Sequence, residues 1–177
     1  QKIIINWVAS TDSGSGSGTG DVKSGLDEVY ADILAYIKVN HLEAKIDLLK
    51  TQTELKITLR DTVLIVPDSP NMIDSSAPIL KEISKSLVGV YGKIDHTTIS
   101  GHTADPYNSD GMHSSDFEWN LSTNRAVTVL KFLKNNGLPE NKLSIEGYSH
   151  FQPIAGNNTP EGSAKNRRVE ITIKKDA

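Results

Sequence analysis

Apolar residues recur at helical spacing over residues 22–39, where Val22, Leu26, Val29, Tyr30, Ile33 and Ile37 fall on one side and lysines and acids elsewhere. That spacing predicts an amphipathic helix. The period then shortens to two, so that residues 44–50, 54–60 and 62–66 read as strands, with Leu55, Ile57 and Leu59 alternating as in a half-buried one. Arg60-Asp61 suits a tight turn between the last two. Residues 67–76 read as a loop whose end starts a second helix, because Ser75 or Ser76 can cap it and Pro78 is tolerated in the first turn. Its apolar stripe is Ile79, Ile83, Leu87 and Val90. A strand over 94–101 follows, then a long polar loop over 102–119, a length that often marks function. Ser122 is the expected cap of a third helix that runs to Asn136 and stops at Gly137, with Pro139 behind it. Strands at 143–149 and 168–174 are separated by a loop with room for one short helical turn.

This order implies an α/β (α+β) sandwich: a mixed β-sheet with two main helices on one face, plus an N-terminal accessory helix. Three segments are expected: a flexible linker over 1–21, the accessory helix and strand over 22–50, and the main domain over 51–177. Residues 10–20, STDSGSGSGTG, have linker composition, native or artificial, and residues 3–8 read as a short apolar β segment. The start at Gln1 rather than Met predicts a fragment of a longer protein. No run reaches the roughly 20 apolar residues that a membrane helix needs.

Charge and composition narrow the chemistry. A net charge of −3 argues against a globally basic nucleic-acid surface. With no cysteine, disulfides and thiol catalysis are excluded, which is compatible with export. No His, Asp and Glu cluster has metal-ligand spacing, and no cofactor motif or Walker-type phosphate loop is present. Ser100, Ser114 and Ser149 lack a nucleophile-elbow context, and no enzyme is expected. The informative stretch is Trp119–Leu133, which places Ser122 and then Arg125 at the expected helix start. Backbone N–H groups and a guanidinium there can hold one carboxylate. An arginine in a first turn is disfavoured by the helix dipole, which favours a bound anion over a purely structural role. A second basic cluster, Lys165 to Arg168, leads into the last strand.

Four pieces in register then resemble the OmpA-like peptidoglycan-binding domain: Ile99-Ser100-Gly101-His102-Thr103; Asn120-Leu121-Ser122 with Arg125-Ala126 and Val129; Gly147-Tyr148; and Asn166-Arg167-Arg168-Val169-Glu170-Ile171. Within that superfamily the contexts of Trp119, Gln152-Pro153-Ile154-Ala155 and Glu161-Gly162 are most similar to the periplasmic part of MotB-type flagellar stator subunits. The resemblance implies noncovalent binding of the diaminopimelate-containing stem peptide of peptidoglycan, a homodimer, a MotA-type channel partner in the full-length protein, and a place on the periplasmic side of the cell membrane. It implies Thr103, Asp105, Asn120, Leu121, Ser122, Arg125, Asn166 and Arg168 as the binding residues, with Arg125 on the ligand carboxylate. The family places an aspartate directly after Gly-x-Thr to take the ammonium. This chain has Ala104 there and an acid one step later, at Asp105, with Asp110 and Asp116 as further candidates. Two other readings stay open: an envelope protein or lipoprotein that tethers an outer membrane without a role in motility, and a protein–protein module that has lost wall binding.

Overall fold

The computed structural model describes residues 23–66, 71–105 and 114–177. The 3–8 segment, the 10–20 linker and Asp110 lie outside them. The elements are α1 (Gly25–Val39), β1 (Ile46–Lys50), β2 (Glu54–Arg60), α2 (Asp61–Leu64), α3 (Ala77–Gly89), β3 (Ile94–His102), α4 (Ser115–Asn135), β4 (Leu143–Gly147), α5 (Pro160–Asn166) and β5 (Arg168–Lys175). The five strands form one mixed sheet in the order β1-β2-β5-β3-β4, antiparallel except for β3 beside β4. The last strand therefore inserts at the centre, where β5 pairs with β2 on one side and β3 on the other.

Alternation along the strands decides which face is covered. Leu55, Ile57 and Leu59 of β2, Val169, Ile171 and Ile173 of β5 and Ile99 of β3 are buried in one core. The intervening positions, including Lys56, Ser100, His102, Arg168 and Glu170, share the other face. Helix α4 lies on β3 and β4, α1 lies on β1, β2 and β5, and α3 packs against both helices. Leu26, Val29, Ile33 and Ile37 of α1 belong to the same core as the sheet. This helix is capped at Ser24 by a reciprocal box with Asp27.

Two expectations fail. Residues 62–66 are not a strand: Asp61 starts the one-turn helix α2, and only Ile65 bridges to Met72. The β-branched run is overridden because the Asp61 N–H donates to the Arg167 carbonyl, 3.1 Å away, and turns the chain back. Helix α4 begins at Ser115 and not after Ser122. Its cap is Ser114, whose side chain accepts from the Phe117 N–H, and the expected 102–119 loop loses residues 115–119 to the start of the helix. The rest of the pattern holds closely, including Pro78 in the first turn of α3 and Gly137 at φ +98° past the end of α4.

Candidate functional site

The longer α4 changes the physical basis of the site. Arg125 sits in the third turn, so the free N–H groups and positive dipole of a helix start do not reach it. It is instead one of the largest fully buried side chains, at 1% exposure. An acid that feels its charge is Asp61, a residue that the sequence pattern presented only as a turn. Burial pushes the Asp61 carboxyl above its ordinary value, and the positive charges of Arg167 and Arg125 pull the other way. Arg167 Nε lies 3.3 Å from Asp61 Oδ2.

Two close approaches bring the motif residues together. A Cβ on Gly101 would lie 1.8 Å from the Ser122 carbonyl oxygen, and one on Gly147 would lie 2.2 Å from Thr123 Oγ1. The glycines let α4 rest on the ends of β3 and β4. Across that contact Ser122 Oγ donates to the Trp119 carbonyl and accepts from the Ser149 N–H, each at 3.0 Å. The Ser149 carbonyl accepts from the Thr103 N–H at 2.9 Å. Thus Thr103, Ser149 and Ser122 form one chain of bonds, one helical turn from Arg125. Ser149 is buried and held at φ +52°, a left-handed conformation that costs a non-glycine residue about 1 kcal/mol or more.

A second network holds the other wall. Asn166 Oδ1 accepts from the N–H groups of Ile154 and Ala155, while Nδ2 donates to the Ala155 carbonyl and to Asn157 Oδ1. Asn157 Oδ1 also accepts from the Asp105 N–H at 3.3 Å. Arg168 donates to Glu170, to the Asn166 carbonyl and to the Gln152 carbonyl. Of the expected binding residues, Asn166 and Arg168 therefore fix the 152–157 loop with their side chains. Leu121 packs inward and Asn120 is exposed; Thr103 and Ser122 share the first chain of bonds, Asp105 is tied to the second through Asn157, and Arg125 lies buried one turn beyond Ser122. Asp116 lies in the first turn of α4.

On the open face of the sheet, Glu170 Oε2 lies 3.6 Å from both His102 Nε2 and Lys56 Nζ. Burial pushes the Glu170 carboxyl up, but His102 and Arg168 together outweigh it and hold the group at about 2, below its ordinary 4.5. A depressed carboxylate stabilises the fold fully above its unfolded value and loses that contribution as pH falls through the folded one. Acid melts between pH 4.5 and pH 2 are therefore expected to show a loss of about 2 kcal/mol, discounted for solvent screening, that is absent from Glu170→Gln. Asp61 has the opposite sign: its raised value favours the fold as pH falls, so it offsets part of the loss.

Residues 66–167 match the OmpA family. The chain is 33% identical to motility protein B of Bacillus subtilis over 151 residues, 84% of this chain and 56% of that protein. It is 34% identical over 106 residues to the peptidoglycan-binding protein ArfA of Mycobacterium tuberculosis, covering 60% of this chain and 30% of that one. The periplasmic domain of Helicobacter pylori MotB superposes with a TM-score of 0.65 at 27% identity, covering 75% of this chain and 83% of the other. The chain thus spans little more than half of the motility protein it matches. The family match covers more than half of the chain, the likeness to motility protein B extends over most of it, and the chain belongs to the OmpA family.

Proposed function

We propose that this domain binds peptidoglycan noncovalently and anchors a flagellar stator of the MotB type to the cell wall. The observation that carries the reading is the buried Arg125 guanidinium, one helical turn from the Thr103–Ser149–Ser122 bonds and near enough to Asp61 to act on its charge. A cation withdrawn from water is poorly screened, and a guanidinium matches a carboxylate bidentately. The diaminopimelate of a stem peptide offers a carboxylate beside an ammonium. Arg125 takes the carboxylate, in place of part of the field now supplied by Asp61, and Asp105 takes the ammonium. Because Arg125 is enclosed, ligand entry requires local opening of the wall around Thr103. No step is catalytic; the bonds are made and released reversibly.

The stator reading is favoured over an envelope tether because the likeness to motility protein B covers 84% of the chain, well beyond the family match at 66–167. In that reading the parent protein pairs with a MotA-type channel subunit, forms a homodimer, and holds this domain outside the cytoplasmic membrane. Co-sedimentation with purified sacculi tests the binding. The fragment is expected in the pellet, and Asp105→Ala is expected to weaken it roughly tenfold or more, the worth of one charge-assisted hydrogen bond. A fragment that stays wholly in the supernatant overturns the proposal. Asp61→Asn, run alongside, shows whether the ammonium partner is Asp61 instead.

A further inference from the structure

Beside the clamp lies a group of apolar rings that neither the fold nor the clamp uses. Trp119 and Phe151 are 42% and 58% exposed. The rings of Trp119 and Phe151 stack with centroids 5.5 Å apart, and His150 stacks on Phe151 at 4.3 Å. Large apolar groups left together in water mark a contact surface more often than chance. The left-handed Ser149 is what turns His150 and Phe151 toward α4, and the same residue bonds to Ser122 and Thr103. Ser149 thus serves both, while the ring side chains themselves take no part in the clamp.

We propose that this aromatic platform is a saccharide subsite that takes one pyranose ring of the wall glycan while the clamp takes its stem peptide; the inference rests on the peptidoglycan reading. A pyranose with equatorial substituents presents a face of axial C–H groups, and these meet the negative face of an aromatic ring favourably. Asn120 and Gln152, the exposed sequence neighbours of Trp119 and Phe151, carry amides that can bond hydroxyl or N-acetyl substituents. The spacing also fits. Trp119 and Arg125 are six residues apart on α4, roughly 9 Å of rise, and a few residues of extended stem peptide between diaminopimelate and sugar span about 10 Å. A membrane surface or a second copy of the chain would not require this registration with the clamp.

The test compares two probes, the free diaminopimelate-containing stem tripeptide and the same tripeptide carrying its disaccharide, by calorimetric titration. The disaccharide is expected to tighten binding roughly three- to tenfold, the range for one good aromatic contact. Phe151→Ala and Trp119→Ala should remove that gain and leave tripeptide affinity unchanged, and Phe151→Tyr should keep it. Both side chains are exposed, and thermal melts of each variant confirm that it folds. Equal affinities for the two probes, with the tripeptide bound, overturn the subsite and leave the clamp standing. Binding that requires the sugar and ignores the peptide supports the subsite and overturns the clamp. Failure to bind either probe overturns both. A disaccharide gain that survives both alanine variants, with a change in sedimentation coefficient instead, overturns the subsite in favour of a contact between copies.

Discussion

Arg125→Lys is expected to leave the domain folded and to reduce its retention on sacculi by two orders of magnitude or more. Lysine keeps the positive charge beside Asp61, so the buried acid is not orphaned and the several kcal/mol that follow removal of one partner of a buried pair are avoided. What lysine cannot keep is the planar fork: a point charge makes one bond to a carboxylate where a guanidinium makes two parallel ones. Losing one charge-assisted bond and the alignment of the other amounts to about 3 kcal/mol, or roughly a hundredfold. Arg125→Ala is the weaker experiment. It leaves Asp61 without a charge it senses and a cavity in the middle of α4, so lost binding could reflect lost structure. Melting temperature and pelleting measured on the same Arg125→Lys sample separate the two effects. Retention equal to that of the unsubstituted domain would remove Arg125 from the ligand.

The contrast between Arg125 and its expected surroundings shows where sequence reading works. Leu55, Ile57 and Leu59 reveal a half-buried strand because period two has one explanation, and Pro78 and Gly137 mark helix ends by chemistry fixed within a few residues. The start of α4 was not legible in the same way. Ser114 and Ser122 are both plausible caps, and the apolar pattern strengthens only after the second. Tertiary contact decided between them: Ser122 spends its hydroxyl on Trp119 and Ser149 inside the helix. The motif residues were identifiable, but their mechanism was not. Asp61, an acid that feels the charge of Arg125, is far from it in the chain, and its N–H is held by Arg167 through the insertion of β5 beside β2. No local signal announces such a partner; an acid at the end of a buried strand, facing an arginine-rich motif elsewhere, is the most that could have been noticed.

The largest loss of stability is expected from Gly101→Ala, at about 3 kcal/mol or more, with a fall in melting temperature on the order of 10 °C. The added methyl would sit 1.8 Å from the Ser122 carbonyl oxygen and 2.7 Å from its carbon. Both are backbone atoms of a helix interior, so relief cannot come from a side-chain rotation. Either α4 lifts from β3 or the end of β3 bends away. Each movement breaks the Thr103–Ser149–Ser122 bonds, so sacculus binding should fall together with stability, unlike in Arg125→Lys. Gly147→Ala meets Thr123 at 2.2 Å through a hydroxyl and at 3.0 Å through Cα and N, and is expected to be milder because the hydroxyl can rotate. Gly89, the last residue of α3, is the control. A methyl there meets nothing within 4 Å, and Gly89→Ala is expected to be neutral or stabilising by up to about 1 kcal/mol. If all three variants melted alike, the seating of α4 on the two glycines would not be what holds the site together. A graded series, Gly101 worst and Gly89 unharmed, ties the geometry of the clamp to two missing methyl groups.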